Sequence, residues 1–155
     1  MTSALALFRR LGGSAPGRWL FTRLVCWRAP YFASIAPTIE ALEAGRCVVR
    51  LRDRRRVRNH IGTVHAIALC NAAELAGGLA TDAAMPPTLR WIPKGMQVRY
   101  LKKAQGILRA TAMVAIPDAT LAAHELHAFV EVRNGDNEVV FDADIAMWIS
   151  QRSST

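Results

Sequence analysis

The sequence predicts an α+β fold in which one central, buried helix is wrapped by an antiparallel sheet of five or six strands. Three observations support this prediction. One long segment rich in Ala and Leu, Val64 to Ala76, is typical of a buried helix. Segments on both sides of it alternate apolar and polar residues with a period of two, which is typical of half-buried strands. The links between the later segments are short, which favours antiparallel pairing.

The chain begins with an N-terminal helical extension, residues 1–35, ahead of a main domain at residues 36–150. Large apolar side chains and one arginine recur there at helical spacing: Trp19, Leu20, Arg23, Leu24 and Trp27. One interpretation is a helix whose apolar face covers the core. The alternative is a helix that docks on a membrane surface or a partner. The sequence favours the first interpretation.

The strands and the ends of the helix follow from punctuation residues and alternation. Residues 38–42 and 46–53 predict a hairpin, and Asn134-Gly135 predicts another between the last two strands. Thr63 is the predicted N-cap of the helix, and Gly77-Gly78 is its predicted end. Strands after the helix are expected around residues 96–100, 108–112, 126–133 and 139–147.

Size and composition exclude several classes of protein. The chain has 155 residues, of which 52% are hydrophobic and 21% charged, as expected for one globular domain. Cys26, Cys47 and Cys70 form no zinc-binding or disulfide pattern, which indicates a reducing compartment and no metal site. No charge-free run reaches the ~18 apolar residues of a membrane span, and the N-terminus lacks the order of a secretory signal. We therefore expect a cytoplasmic protein.

The net charge of +8 favours anionic partners. Its densest cluster is Arg50–Arg58, RLRDRRRVR, which is either a solvated strand end and loop or a phosphate contact. No aromatic residues are interleaved with these charges, and no nucleic-acid-binding motif accompanies them. Nucleic acid is therefore not an expected partner.

One acidic residue stands out within the predicted helix. Glu74 is the only formally charged residue between Ile61 and Leu79. In a buried helix this carboxylate either faces a cavity or rests protonated against Asn71, its neighbour one turn earlier. Burial raises the pKa of a carboxyl group, which suits general-base chemistry near neutral pH. A structural role for Glu74 is an equal alternative on these grounds.

The predicted helix start adds a second chemical feature. Asn59, Gly62, Thr63 and His65 cluster where the first backbone N–H groups of a helix lack intrahelical acceptors. Such a terminus can stabilise a carbonyl oxygen as it becomes an oxyanion. Glu74 lies nine residues beyond His65, roughly 13 Å along the helix axis. One chain cannot bring both groups to one atom, so the spacing predicts an active site shared by two subunits of a dimer.

These residues resemble a motif of the hotdog-fold acyl-CoA thioesterases, particularly the phenylacetate-pathway type. The motif N-x-x-G-T-x-H, followed nine residues later by an acidic residue, reads here Asn59 to His65 and then Glu74. WIPKGMQVRYLKKAQG, residues 91–106, is similar to the next segment of that family. The resemblance covers about residues 36–150 and implies a hotdog fold. It is strongest to a bacterial branch of the superfamily labelled only as a domain of unknown function.

The resemblance implies a role for each matching residue. Glu74 takes the position of the catalytic carboxylate, either as general base on water or as nucleophile on the thioester. Asn59 takes the position of the polar residue that orients the water or attacking group. The backbone N–H of Ala66 takes the oxyanion position, and His65 either shapes that turn or has a purely structural role.

The implied substrate is an acyl thioester with coenzyme A as its carrier, and no separate cofactor is implied. The implied assembly is a homodimer, with a tetramer left open, and membrane contact through the N-terminal segment is disfavoured. The residues expected to bind the substrate are Gly62, Thr63, Lys94, Tyr100, Lys102 and Lys103.

Two departures from the family's pattern leave other functions open. His65-Ala66-Ile67 stands where the family has His-Gly-Gly, so the N–H is kept but the unobstructed approach to a glycine backbone is lost. No helper Ser or Thr occurs at Pro93-Lys94. One alternative is a non-catalytic hotdog protein that binds acyl thioesters. The other is a hotdog hydratase or dehydratase that uses His60 and Glu74.

Overall fold

The computed structural model describes residues 4–118, 120 and 123–152. The α-helices of this part of the chain are α1 (Ala4–Leu11), α2 (Ala15–Arg28) and α3 (Ala66–Ala84), and the 3₁₀ helices are Pro30–Ile35 and Arg55–Val57. The strands are β1 (Thr38–Glu43), β2 (Arg46–Arg52), β3 (Leu89–Tyr100), β4 (Ile107–Val114), β5 (His124–Arg133) and β6 (Val139–Gln151). Within the same residues, no helix is long and apolar enough to cross a membrane.

The six strands form one sheet in the order β1-β2-β4-β5-β6-β3, and every neighbouring pair is antiparallel. Helix α3 packs against this sheet and contacts all six strands. The predicted α+β class, the antiparallel sheet, the N-terminal helices and both hairpins are therefore confirmed. The sequence did not indicate that β3 pairs with β6 at one edge of the sheet.

The central helix is longer than the sequence predicted, because Gly77-Gly78 lies inside α3 and does not end it. A Cβ at Gly77 would lie 2.8 Å from Cδ1 of Ile145, so this glycine permits close packing of α3 on the sheet. The predicted N-cap was also wrong. His65 caps the helix, and Thr63 is buried in the loop before it.

Helix α2 faces the core with a different side from the one predicted. Phe21, Thr22 and Cys26 are buried, and Thr22 Oγ1 accepts a hydrogen bond from the N–H of Ile39 at 3.0 Å. Trp19, Leu20, Leu24 and Trp27 are exposed. The helix is apolar on both sides, so its sequence pattern alone could not indicate which side packs against the sheet.

The face of the sheet opposite α3 carries an ionic cluster around His127. Nδ1 of His127 lies 2.6 Å from Oδ1 of Asp144, and Nε2 lies 3.2 Å from Oε1 of Glu125. The hydrogen bond with Asp144, followed by the charges of both carboxylates, raises the pKa of His127. The folded state therefore favours the protonated, imidazolium form of His127.

Candidate active site

The loop before α3 is closed by the side chain of Asn59. Its Oδ1 accepts hydrogen bonds from the N–H groups of Ile61 and Thr63, both at 3.1 Å. Its Nδ2 donates to Oγ1 of Thr63 at 2.8 Å. Since both acceptor positions of Oδ1 are used within the loop, one Nδ2 hydrogen is left for a water or a substrate. The predicted catalytic role of Asn59 stays a prediction.

One backbone N–H group at the start of helix α3 has no hydrogen-bond acceptor among the residues that the structure describes. Nδ1 of His65 accepts a hydrogen bond from the N–H of Ile67 at 3.1 Å, and the carbonyl of His65 accepts from the N–H groups of Ala68 and Leu69. The N–H of Ala66 has no hydrogen-bond acceptor in the described part of the chain. This is the group that the sequence placed at the oxyanion position, and the positive end of the helix dipole lies beside it.

Glu74 is exposed, which contradicts its predicted burial. Asn71 does not pair with it and instead donates from Nδ2 to Oγ of Ser34 at 3.2 Å. The two residues point to different surroundings because Asn71 lies under the 3₁₀ helix that contains Ser34. A carboxylate in contact with water needs no buried partner, so the argument for a protonated Glu74 falls away.

Glu74 belongs to a strip of α3 that remains partly or fully accessible, which we call the open stripe: Ile67, Cys70, Glu74 and Gly78. Their spacing places them on one face of the helix. Ile67, at the start of the stripe, is 56% exposed. The sheet and the N-terminal extension cover the rest of α3, whereas the described residues cover this face only in part.

Strand β3 borders the open stripe on one side. Sγ of Cys70 lies 3.3 Å from Oη of Tyr100, and this hydrogen bond together with partial burial raises the pKa of Tyr100 to about 12. Tyr100 is therefore a neutral hydroxyl group near neutral pH, available as a donor close to Glu74's face of the helix. Met96, on the same face of β3 as Tyr100, is also exposed.

A cavity of about 200 Å³ lies beside the start of α3, on the side of the 3₁₀ helix Pro30–Ile35. Polar and aromatic side chains line it: Tyr31, Ser34, Arg56, His65 and Asn71. Oδ1 of Asn71 is buried there and has no hydrogen-bond partner among the described residues. Sequence reasoning missed Tyr31 and Ser34, because single residues in an extension carry no motif or period. Arg56 belongs to the cluster Arg50–Arg58, for which a phosphate contact was one of the two interpretations.

The lysines predicted to bind the substrate are divided between two places. The N–H of Val64 donates to the carbonyl of Ala104 at 2.8 Å, so the β3–β4 link containing Lys102 and Lys103 runs beside the start of α3. Nζ of Lys102 lies 2.5 Å from Oε1 of Glu138. Lys103 is exposed and has no ion pair among the described residues.

Lys94 lies elsewhere. Its Nζ is 4.8 Å from the centre of the Trp148 ring, on the face of β3 opposite Tyr100. The structure therefore does not bring Lys94 to the same face as the other predicted substrate-binding residues. His60 is exposed in the loop before α3. No group of three or more side chains suited to metal binding occurs in the described ranges.

A long helix packed against a six-stranded antiparallel sheet is the arrangement of the hotdog fold. A thioesterase from Haemophilus influenzae has a TM-score of 0.73 at 13% identity, covering 88% of this chain and 92% of that chain. A thioesterase family protein from Silicibacter pomeroyi has a TM-score of 0.71 at 19% identity, covering 84% and 96%. At these identities the likeness is one of fold.

The chain belongs to the family described as Domain of unknown function (DUF4442), whose model matches residues 17–149. The crystal structure of a structural-genomics protein is 43% identical, with a TM-score of 0.83 over 96% of this chain and 99% of that chain. No curated protein matches the sequence. The predicted hotdog fold and the predicted membership of a branch labelled only as a domain of unknown function are confirmed. The predicted domain boundary at residue 35 stays a prediction.

Proposed function

We propose that the protein hydrolyses acyl thioesters. The observation that carries the proposal is the accessible carboxylate of Glu74 on the same helix whose first N–H, that of Ala66, has no acceptor among the described residues. As a general base, Glu74 takes a proton from water, whose oxygen attacks the thioester carbonyl. The C–S bond then breaks, and the thiolate leaving group takes up a proton. The N–H of Ala66 stabilises the oxyanion formed in between.

The two groups act on one substrate only if they come from different chains. Ala66 and Glu74 are eight residues apart, about 12 Å along the axis of α3. A hydrogen-bond donor and a base must both lie within about 3 Å of the reacting atoms. A second copy with its α3 antiparallel supplies the missing group at each end and forms two equivalent sites.

Strand β3 supports such a dimer. It is a twelve-residue edge strand, and its outer N–H and C=O groups are free to pair with another strand. Pairing with the same strand of a second copy continues the sheet and covers the open stripe. We expect a dimer in sedimentation experiments at assay concentrations. A stable, active monomer would exclude the shared site.

Coenzyme A is the proposed carrier because its phosphates are anionic and Lys103 lies beside the start of α3 without an ion pair among the described residues. The charge of Lys102 is already partly compensated by Glu138. Surface charge–phosphate contacts are weak individually and decrease with salt. Lys103 is therefore more available than Lys102 for a contact with a phosphate group.

The test of the proposal is Glu74→Gln in the full chain. We expect kcat for acyl-CoA hydrolysis to fall by roughly 10²–10⁴-fold, the usual contribution of a general base. Because glutamine keeps the size and shape of glutamate, the variant should fold and sediment like the wild type. Asp82→Asn, which removes the other carboxylate of α3 and keeps an acceptor for the hydrogen bond from Trp91, is the control and should retain activity. Equal activity of both variants would remove Glu74 from the mechanism.

A non-catalytic thioester-binding protein is the second candidate. Ile67 is 56% exposed at the start of α3, so its side chain stands beside the N–H that would hold the oxyanion. Saturable binding of acyl-CoA by the wild type, without hydrolysis of any member of a broad acyl-CoA panel, would favour this candidate. Hydration of an enoyl thioester would instead identify a hydratase, for which His60 would have to reach the Glu74 of a second copy.

A further inference from the structure

The outward-facing half of α2 is unusually apolar. Trp27 is 82% exposed and Trp19 is 63% exposed, and Leu20 and Leu24 are exposed between them. At 100° per residue these four side chains share one half of the helix, opposite the buried Phe21. We call this surface the outer face of α2. Exposed aromatic and aliphatic side chains grouped in this way indicate an interaction surface.

The same surface is positively charged. Arg23 lies on the outer face of α2, and Arg28 is exposed in the last turn of the helix beside it. Neither arginine forms an ion pair within the described ranges. Residues 1–39 contain five arginines and no aspartate or glutamate. An occupant of this face must therefore be anionic as well as apolar.

A second cluster of arginines adjoins α2. A cavity of about 590 Å³ between α2 and the β1–β2 region is lined by Trp19, Arg23, Arg50, Arg52 and Arg54. It is also lined by one carboxylate, Asp53, which is paired with Arg58 at 2.7 Å. Arg50 is paired with a carboxylate of β1 at 2.8 Å, and Arg54 donates to a backbone carbonyl at 2.6 Å. Arg23 and Arg52 have no such partner in the described part of the chain. Two guanidinium groups are thus free to bind a phosphate, for which their planar donor pairs are well suited.

We propose that the outer face of α2 docks on the surface of an anionic phospholipid bilayer, with a lipid phosphate held by the arginines of the adjoining cavity. Tryptophan partitions to the level of the lipid headgroups, and leucine reaches the acyl chains below them. Nucleic acid would offer the phosphates but no aliphatic layer for Leu20 and Leu24. A second copy would place the two sets of arginines against each other.

The experiment measures co-sedimentation of the full chain with vesicles of phosphatidylcholine, with or without phosphatidylglycerol, at low and high salt. We expect binding to the mixed vesicles that weakens with salt, together with a blue shift of tryptophan fluorescence. The double variant Arg23→Gln/Arg28→Gln should lower the partition coefficient by about fivefold for each arginine at low salt. Trp27→Ser should weaken binding and reduce the blue shift, and the blue shift that remains should come from Trp19 on the same face.

A matched control removes two charges at the opposite edge of the sheet. Arg90 lies on β3, and the N–H of Arg152 donates to Thr88 at the start of that strand. Arg90→Gln/Arg152→Gln should leave the partition coefficient unchanged. Equal losses in the two double variants would mean attraction by net charge alone and would overturn the proposal. So would absence of binding to the mixed vesicles, binding of soluble glycerol phosphate without vesicle binding, or loss of self-association as the main effect of Trp27→Ser.

Discussion

The side chain of Asn59 holds the loop that precedes α3, and we expect its replacement to lower the free energy of unfolding. In Asn59→Ala the N–H of Thr63 loses its acceptor, and Thr63 is only 5% exposed, so water does not replace the bond. An unsatisfied buried N–H costs about 1–3 kcal/mol, and the lost bond to Thr63 Oγ1 adds about 0.5–1.5 kcal/mol. The N–H of Ile61 is in an exposed residue and can bind water at little cost. The sum is about 2–4 kcal/mol.

Urea unfolding at one fixed protein concentration measures this loss, because the stability of the proposed dimer would depend on concentration. With a slope of about 2 kcal/mol per M, the midpoint should fall by about 1–2 M. Asn59→Asp keeps both acceptor bonds, and the hydroxyl of Thr63 can donate to the carboxylate. It should therefore recover most of the stability. His60→Ala, an exposed neighbour, should change the unfolding free energy by less than about 0.5 kcal/mol.

The result that would refute this reasoning is an Asn59→Ala midpoint equal to that of His60→Ala. An Asn59→Asp variant no more stable than Asn59→Ala would also refute it, since the acceptor bonds would then not be what holds the loop. A stable Asn59→Asp enzyme with reduced kcat would show that the remaining Nδ2 hydrogen acts on the substrate or water.

Three further predictions concern the carrier, pH and a turn. Lys103→Ala should raise KM for acyl-CoA severalfold at low salt with little change in kcat, because phosphates are held alike in ground and transition states. Asp144 raises the pKa of His127 in the folded protein. The protonated side chain therefore stabilises the fold fully at a pH below the pKa of His127 in the unfolded chain, and this stabilisation is lost as the pH rises through the pKa in the folded protein. The stability lost in His127→Gln, from urea unfolding, should thus be larger at about pH 5 than at about pH 9. Gly45 (φ 77°) and Gly106 (φ 73°) have the same left-handed backbone, but a Cβ at Gly45 would lie 2.4 Å from a backbone oxygen of β4. Gly45→Ala should therefore cost at least about 1 kcal/mol more than Gly106→Ala in thermal unfolding, and equal costs would contradict the packing argument.

Local patterns predicted most of the strands. Ala128, Val130 and Val132 are buried on one face of β5, so the alternation of apolar and polar residues in the sequence matches the alternation of buried and exposed side chains in the strand. The hairpin at Asn134-Gly135 is likewise local, since the side chain of Asn134 accepts hydrogen bonds from two N–H groups within the turn. Such features need no knowledge of the rest of the chain.

Features that depend on distant packing were not predicted. Gly77-Gly78 was interpreted as a helix end because glycine often ends a helix. Glycine also allows a helix to pack closely on a neighbouring element, and only the position of Ile145 in the fold shows that this second use applies to Gly77. The exposure of Glu74 depends on where β3 and the 3₁₀ helix Pro30–Ile35 dock on α3. The bond between Asn71 and Ser34 joins residues 37 positions apart and leaves no signal in the sequence.

The pairing of β3 with β6 constrains the order in which the molecule can form. Register partners in this ladder are separated by 41 residues (Tyr100 with Phe141) to 62 residues (Leu89 with Gln151). During synthesis β3 leaves the ribosome well before β6, whereas β1–β2 and β4–β5 pair with partners already made. The twelve-residue strand β3 thus waits without its neighbour on a growing chain, as β2 does for β4, whose register partners are 55 to 67 residues apart. Because β6 is the last strand of the chain and holds β3, which borders Glu74, completion of the proposed site coincides with completion of the sheet.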